Sequence, residues 1–171
     1  MTRRCACSLS VLLVVLWPGV APCSELSEQL SFFEPLLGET WVGHFDDPES
    51  AEFVHVATWE SALDGQAVSY HKDVEAAEFS MEALYYWDPT STEVAFVSVT
   101  NRGQVSAGTA RETDAGIELL GESRTDAGTR PFRYVLRFCA DGTLEDLFFS
   151  PVGDGWTQGH LILYSPVRRT P

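Results

Sequence analysis

Leu36-Leu37-Gly38-Glu39-Thr40-Trp41-Val42-Gly43-His44-Phe45 is the stretch on which the rest of the chain depends. Gly38 can end a leading helix in the left-handed conformation that other residues resist. Thr40 to Phe45 then reads as a first strand, because β-branched and aromatic residues fill it. Everything downstream reads as one antiparallel meander that must return to this strand and close on it.

The downstream pattern is strand after strand. Ala51 to Glu60 alternates, with Phe53, His55, Ala57 and Trp59 on one face. Asp64-Gly65 marks a turn, and Gln66 to Val74 follows. Phe79 to Trp87 puts Phe79, Met81, Ala83, Tyr85 and Trp87 on one face, with Glu82 on the other. Further strands are expected at Glu93 to Thr100, Gln104 to Glu112, Ile117 to Ser123, Phe132 to Cys139, Leu144 to Ser150 and Trp156 to Ser165. Thr-Asp-Ala-Gly occurs twice, at 113–116 and 125–128, and reads as one turn chemistry used twice. Short connections demand antiparallel neighbours. An open sheet of about ten strands would leave two unpaired edges, which closure removes. The expected fold is all-β, an up-and-down antiparallel barrel of about ten strands, with a two-sheet sandwich as the alternative.

Upstream, Leu26, Leu30, Phe33 and Leu37 fall at helical spacing, which predicts one helix from about Glu25 to Phe33, broken by Pro35. A barrel of about ten strands is wider than its own side chains fill, so this helix is expected to cover an end. Earlier still, Thr2-Arg3-Arg4, an apolar run from Leu9 to Trp17 and the small residues 20–24 have the layout of a secretory signal peptide. Residues 1–23 are read as that peptide and 24–171 as a single barrel domain, exported to the periplasm or the exterior. The apolar run is too short to span a membrane, which takes ~20 residues. Val20-Ala21-Pro22-Cys23 also resembles a lipobox that would anchor Cys23, although Pro22 departs from that pattern. Cleavage falls near residues 21–24, so the mature chain would keep Cys23 and Cys139 at most, free, paired or (for Cys23) lipidated. Cys139 reads as a small buried hydrophobe.

Composition narrows the partners. The 171 residues carry 11 Lys+Arg against 25 Asp+Glu, a formal net charge of -14. No basic patch is available to displace phosphate counterions, so nucleic acid is excluded as a partner. Lys72 is the sole lysine, and nothing in the sequence gives that bias a role.

No Gly-x-Ser-x-Gly elbow, His-Glu-x-x-His helix or phosphate loop occurs, so no catalytic constellation is expected. His44-Phe45-Asp46-Asp47 has too few oxygen ligands for calcium. His160 is the sharpest candidate, on the last strand with Trp156, Gln158, Ile162 and Tyr164 placed on its face. Glu82 would be a site acid if its face were interior and an ordinary solvated residue if exterior. Trp59, Tyr70, Trp87 and Trp156 could line a cavity or fill a core. Trp41 is expected inside the barrel as a structural residue.

Gly38-Glu39-Thr40-Trp41-Val42-Gly43 resembles the first-strand Gly/Trp/Gly signature of calycin-type barrels: lipocalins, fatty-acid-binding proteins and haem-binding nitrobindins. In lipocalins an Arg near the chain end packs over that Trp, a part that Arg168 or Arg169 would take here. A fuller resemblance is to a group of exported bacterial proteins. They share Gly-x-Thr-Trp-x-Gly, the hairpin Trp59-Glu60-Ser61-Ala62-Leu63-Asp64-Gly65-Gln66-Ala67-Val68 and the closing Trp156-Thr157-Gln158-Gly159-His160. That group implies the fold and brings no activity with it. The expected function is an exported barrel that holds a small, largely apolar molecule. The nitrobindin resemblance implies the alternative, haem with His160 as axial ligand, since those proteins also place a Leu after the ligating His. A structural or partner-binding barrel without a cavity is the third reading.

Overall fold

Ten strands run in sequence around a closed barrel, each antiparallel to both of its neighbours in this computed structural model, which describes residues 25–50 and 52–167. They are β1 (Thr40–Phe45), β2 (His55–Ala62), β3 (Ala67–Val74), β4 (Phe79–Asp88), β5 (Glu93–Thr100), β6 (Val105–Thr113), β7 (Gly116–Thr125), β8 (Gly128–Phe138), β9 (Leu144–Val152) and β10 (Gly155–Val167). Closure falls on the first strand, as its sequence required. Thr40 pairs with Val167 and Phe45 with Ile162 across β10, while Gly43 pairs with His55 across β2. The sheet therefore has no free edge to pair with another chain. The two Thr-Asp-Ala-Gly turns are built alike. In each, the Thr hydroxyl donates to the Gly carbonyl and accepts the Ala N–H.

The helix differs from the expectation in start, end and type. It is a 3₁₀-helix over Glu28–Leu36, so it begins three residues late and runs through Pro35. The reason lies in the spacing of its apolar residues. Leu30, Phe33 and Leu36 recur every third residue, and in a 3₁₀-helix such positions eclipse and form one stripe. All three are fully buried. The stripe plugs one end of the barrel, with the Phe33 ring 4.8 Å from that of Tyr85. Ser27 N–H donates to the Gly65 carbonyl and ties the start of the helix to the β2–β3 turn.

Trp41 lies under this plug, 3% exposed, and its Nε1 donates to the Leu36 carbonyl at 3.0 Å. The ring also meets Trp59 and Phe138 edge-on. The interior placement holds. Arg168 and Arg169 lie outside the described residues, as do residues 1–24 with the leader and Cys23. Cys139 departs from the expectation: it is partly exposed and, among the described residues, makes no disulfide, and it lies just beyond β8 in the turn its N–H closes with Thr143.

Gly43 is held by packing. A Cβ there would stand 2.5 Å from the Tyr164 ring, which occupies the space. Gly43→Ala is expected to cost about 1–3 kcal/mol through overpacking. Urea unfolding would show it as a lower midpoint at unchanged slope.

Candidate functional site

Each strand reads in and out, and the inward positions divide the barrel into two halves. The half under the plug is filled by Leu30, Phe33, Trp41, Trp59, Tyr85 and their neighbours. The other half, where β1 ends and β10 begins, is open. A pocket of about 590 Å³ enters there, walled by Met81, Ala83, Phe96, Phe132, Tyr134 and Phe148. Ser98, Ser106 and Ser123 form its polar side, with Arg130 toward the rim. A second pocket of about 310 Å³ shares Tyr134 and reaches Phe45, His55, Lys72, Phe79, His160 and Ile162.

A bulge in β10 places His160. Gln158 pairs with Phe149 and His160 with Phe148, so Gly159 is the extra residue. A Cβ on Gly159 would come within 2.9 Å of the Phe148 ring, which accounts for glycine at the bulge. His160 points inward. Its ring stacks on Phe148 at 4.9 Å and meets Phe45 edge-on at 5.4 Å. Among the described residues no carboxylate pairs with it. Burial, aided by the Lys72 charge, lowers its pKa to about 4, so the ring is neutral at pH 7.

The same bulge corrects the expected placement of Trp156. One extra residue reverses the in-out alternation of everything before it. Trp156 therefore faces outward opposite Pro151, 41% exposed, away from the face of His160. Glu82 is also outside. Its side chain is 71% exposed and its Oε1 lies 2.7 Å from His71 Nδ1, while His71 Nε2 meets Asp73 at 2.6 Å. Of the two alternatives the structure takes the exterior one, because β4 turns Met81 and Ala83 inward instead, so Glu82 is not among the residues that line the interior.

His71 provides a check on that arrangement. The hydrogen bond to Asp73, opposed by slight burial and joined by Glu82, raises its pKa above 6.5. A raised folded-state pKa stabilises below the unfolded value, and that contribution is lost as pH rises through the folded value. His71 is expected to titrate above 6.5 by NMR, and Glu82→Gln to bring it down without touching ligand binding.

Trp59 and Tyr70 lie deeper, on the core side of the second pocket, with ring centroids 4.6 Å apart. Both are buried. Trp87 packs at the plugged end beside Phe32 and Gln29, the far end of the barrel from His160. Of the six sequence-derived site residues, only His160 faces a pocket at the open end.

Three residues not expected at a site stand inside instead. His55 is 4% exposed, Lys72 9% and Asp146 5%. His55 has no hydrogen-bond partner at either ring nitrogen, and Asp146 has none at Oδ1. Burial and the charge of Lys72 lower the His55 pKa to about 3. Burial lowers the Lys72 pKa and Asp146 opposes that fall, while burial raises Asp146 and Lys72 opposes the rise. The sequence did hold a signal. Lys72 is in phase with Val68, Tyr70 and Val74, and Asp146 with Leu144 and Phe148, so each is a charge on an apolar face. Among the described residues no group of three or more His, Cys, Asp or Glu converges on a metal-sized site.

No family model and no curated protein matches the chain. Among solved structures, the crystal structure of Rv2717c from M. tuberculosis is similar at 16% identity, over 84% of this chain and 100% of that one, with a TM-score of 0.49. A likeness that slight bears on neither site nor activity. No helix among the described residues is long and apolar enough to cross a membrane.

Proposed function

We propose that this is an exported ligand-binding barrel that holds a small, mainly apolar molecule in its open end. The observation that carries it is the pocket of about 590 Å³ opposite the plug, with aromatic and aliphatic walls and a few polar groups. Small-molecule sites commonly have that size and lining, the polar groups fixing orientation. The three serines on one wall and Arg130 at the rim suit a ligand with an apolar body and a polar end turned outward. Ten strands and a helical plug account for the form. They leave one end of the core filled and the other hollow, which a purely structural barrel does not need. Export rests on the layout of residues 1–23. Native mass spectrometry of protein purified from its own host is expected to show a bound small molecule. A protein that is consistently empty, and that binds no apolar probe, would end this reading.

Haem is the second reading, and one observation favours it. His160 presents a neutral ring with no carboxylate partner beside apolar side chains, as an axial ligand requires. Phe45, Phe148 and Ile162 would surround the group, and the iron would supply redox or gas-binding chemistry. The residues fit in type. Their part is to hold the imidazole by stacking, keep it unprotonated and exclude water from one side. Haem titration decides between the readings. A Soret shift that vanishes in His160→Ala supports haem, and a shift unchanged in that variant removes His160 as ligand.

A further inference from the structure

We propose that Lys72 is a covalent capture site, its ε-amine condensing with the carbonyl carbon of an apolar aldehyde held at the open end to form an imine. The inference rests on the reading of that end as a ligand site and goes one step beyond it, from shape to chemistry.

The placement of Lys72 is the first support. It is the sole lysine of the chain, every other basic side chain being Arg. A lone lysine on the outside would ask for no explanation. This one is on the inward face of β3, 9% exposed, and its side chain lines the smaller pocket beside Phe45, Phe79 and Ile162. Arginine could not take its place, because a guanidinium does not give up its proton and is no nucleophile.

The second support is what surrounds it. Among the described residues Lys72 makes no ion pair within 4 Å. Asp146 acts on it only through space, from β9, and keeps an unpartnered oxygen. His55, from β2, lines the same pocket with both ring nitrogens unpartnered. Buried polar atoms without partners are rare and costly, so a pocket lined by Lys72 and by a His55 with both ring nitrogens unpartnered suits a ligand that carries a polar group on an apolar body. Burial lowers the Lys72 pKa, which favours the free amine that imine formation needs. His55 and His160 are neutral, so neither adds charge, and either can relay a proton.

The chemistry balances without a further reactant. The Nζ lone pair attacks the carbonyl carbon, a C–N bond forms and the C=O π electrons move to oxygen. The two protons of the amine pass to that oxygen, which leaves as water while the C=N bond forms. A proton from solvent then converts the imine to an iminium. Charge decides between this ligand and an anion merely salt-bridged to an ammonium. A carboxylate ligand would join Asp146 as a second buried anion facing one cation. An iminium carries the same single positive charge as the ammonium it replaces, so Asp146 keeps its counter-charge.

The test uses decanal and decanol on the purified protein, with sodium cyanoborohydride present for the aldehyde. The expected result is one decyl adduct per chain by intact mass, located on Lys72 by peptide mapping and absent from Lys72→Met. Labelling at pH 7 should exceed that of Nα-acetyl-lysine, because burial lowers the Lys72 pKa and so raises its free-amine fraction. Circular dichroism shows that Lys72→Met is folded, and its retained decanol binding by native mass spectrometry shows that the pocket survives. Decanol binding without a Lys72 adduct, or an adduct on the N-terminal amine alone, overturns the capture site and leaves the ligand reading standing. Failure of both decanol and decanal to bind overturns both.

Discussion

Trp41→Ala is expected to lose about 3–5 kcal/mol of stability, the cost of emptying a buried Trp site. Against the ~5–15 kcal/mol that holds a domain together, that is a large share. Trp41 combines two tasks. Its ring fills the core under the plug against Trp59 and Phe138, and its Nε1 holds the Leu36 carbonyl at the end of the 3₁₀-helix. Truncation removes both and leaves a buried carbonyl unpaired. Trp41→Phe separates the two, since it keeps most of the packing and loses the hydrogen bond. It should cost about 1–3 kcal/mol, the desolvation penalty of the orphaned acceptor. Urea unfolding followed by circular dichroism measures both. A Trp41→Ala midpoint equal to that of the parent, with ligand binding lost, would move Trp41 from the scaffold to the site.

The second large effect is a gain. Lys72→Met combined with Asp146→Val is expected to raise stability at pH 7 by about 1–4 kcal/mol, as replacement of buried charges by apolar groups often does. The sign follows from linkage. The folded-state pKa of Asp146 is raised above 3.8, so the parent loses stability as pH rises through the window above 3.8. The folded-state pKa of Lys72 is lowered from 10.5, so the parent also forgoes stability as pH falls below 10.5. At neutral pH both groups oppose folding, and the double variant relieves both. The Asp146 part of the gain should shrink in acid below 3.8, where the carboxyl is protonated in either state, while the Lys72 part remains. Chemical denaturation at about pH 3 and pH 7 measures the difference. A double variant less stable than the parent at both values would show that the two groups hold the core together and do not serve a ligand.

The barrel was legible from the sequence because it depends on local chemistry. Period-2 alternation, Asp-Gly and Thr-Asp-Ala-Gly turns and the first strand after Gly38 are short-range signals, and ten strands with short turns leave closure as the way to pair both edges. Trp41 and the plug could be anticipated on the same grounds. The helix type could not, because the α-like spacing from Leu26 and the threefold spacing from Leu30 coexist in one segment. Packing against the barrel mouth chose the second.

The site was legible only in part. His160 stands out in the sequence as a histidine on an apolar strand, and the structure turns it toward a pocket. Trp156 was misplaced because a one-residue bulge at Gly159 reverses which face it occupies, and that bulge is fixed by the Phe148 ring on the neighbouring strand. Lys72, His55 and Asp146 lie far apart in the chain, on β3, β2 and β9. Alternation alone can say that each points inward. That they meet in one interior, beside an open pocket, follows from the order of ten strands around the closed sheet. The sequence by itself determined the strands, their turns and the need to close. The tertiary structure decided which end stays hollow and which charges share it, because barrel register and the plug set distances that no local pattern encodes.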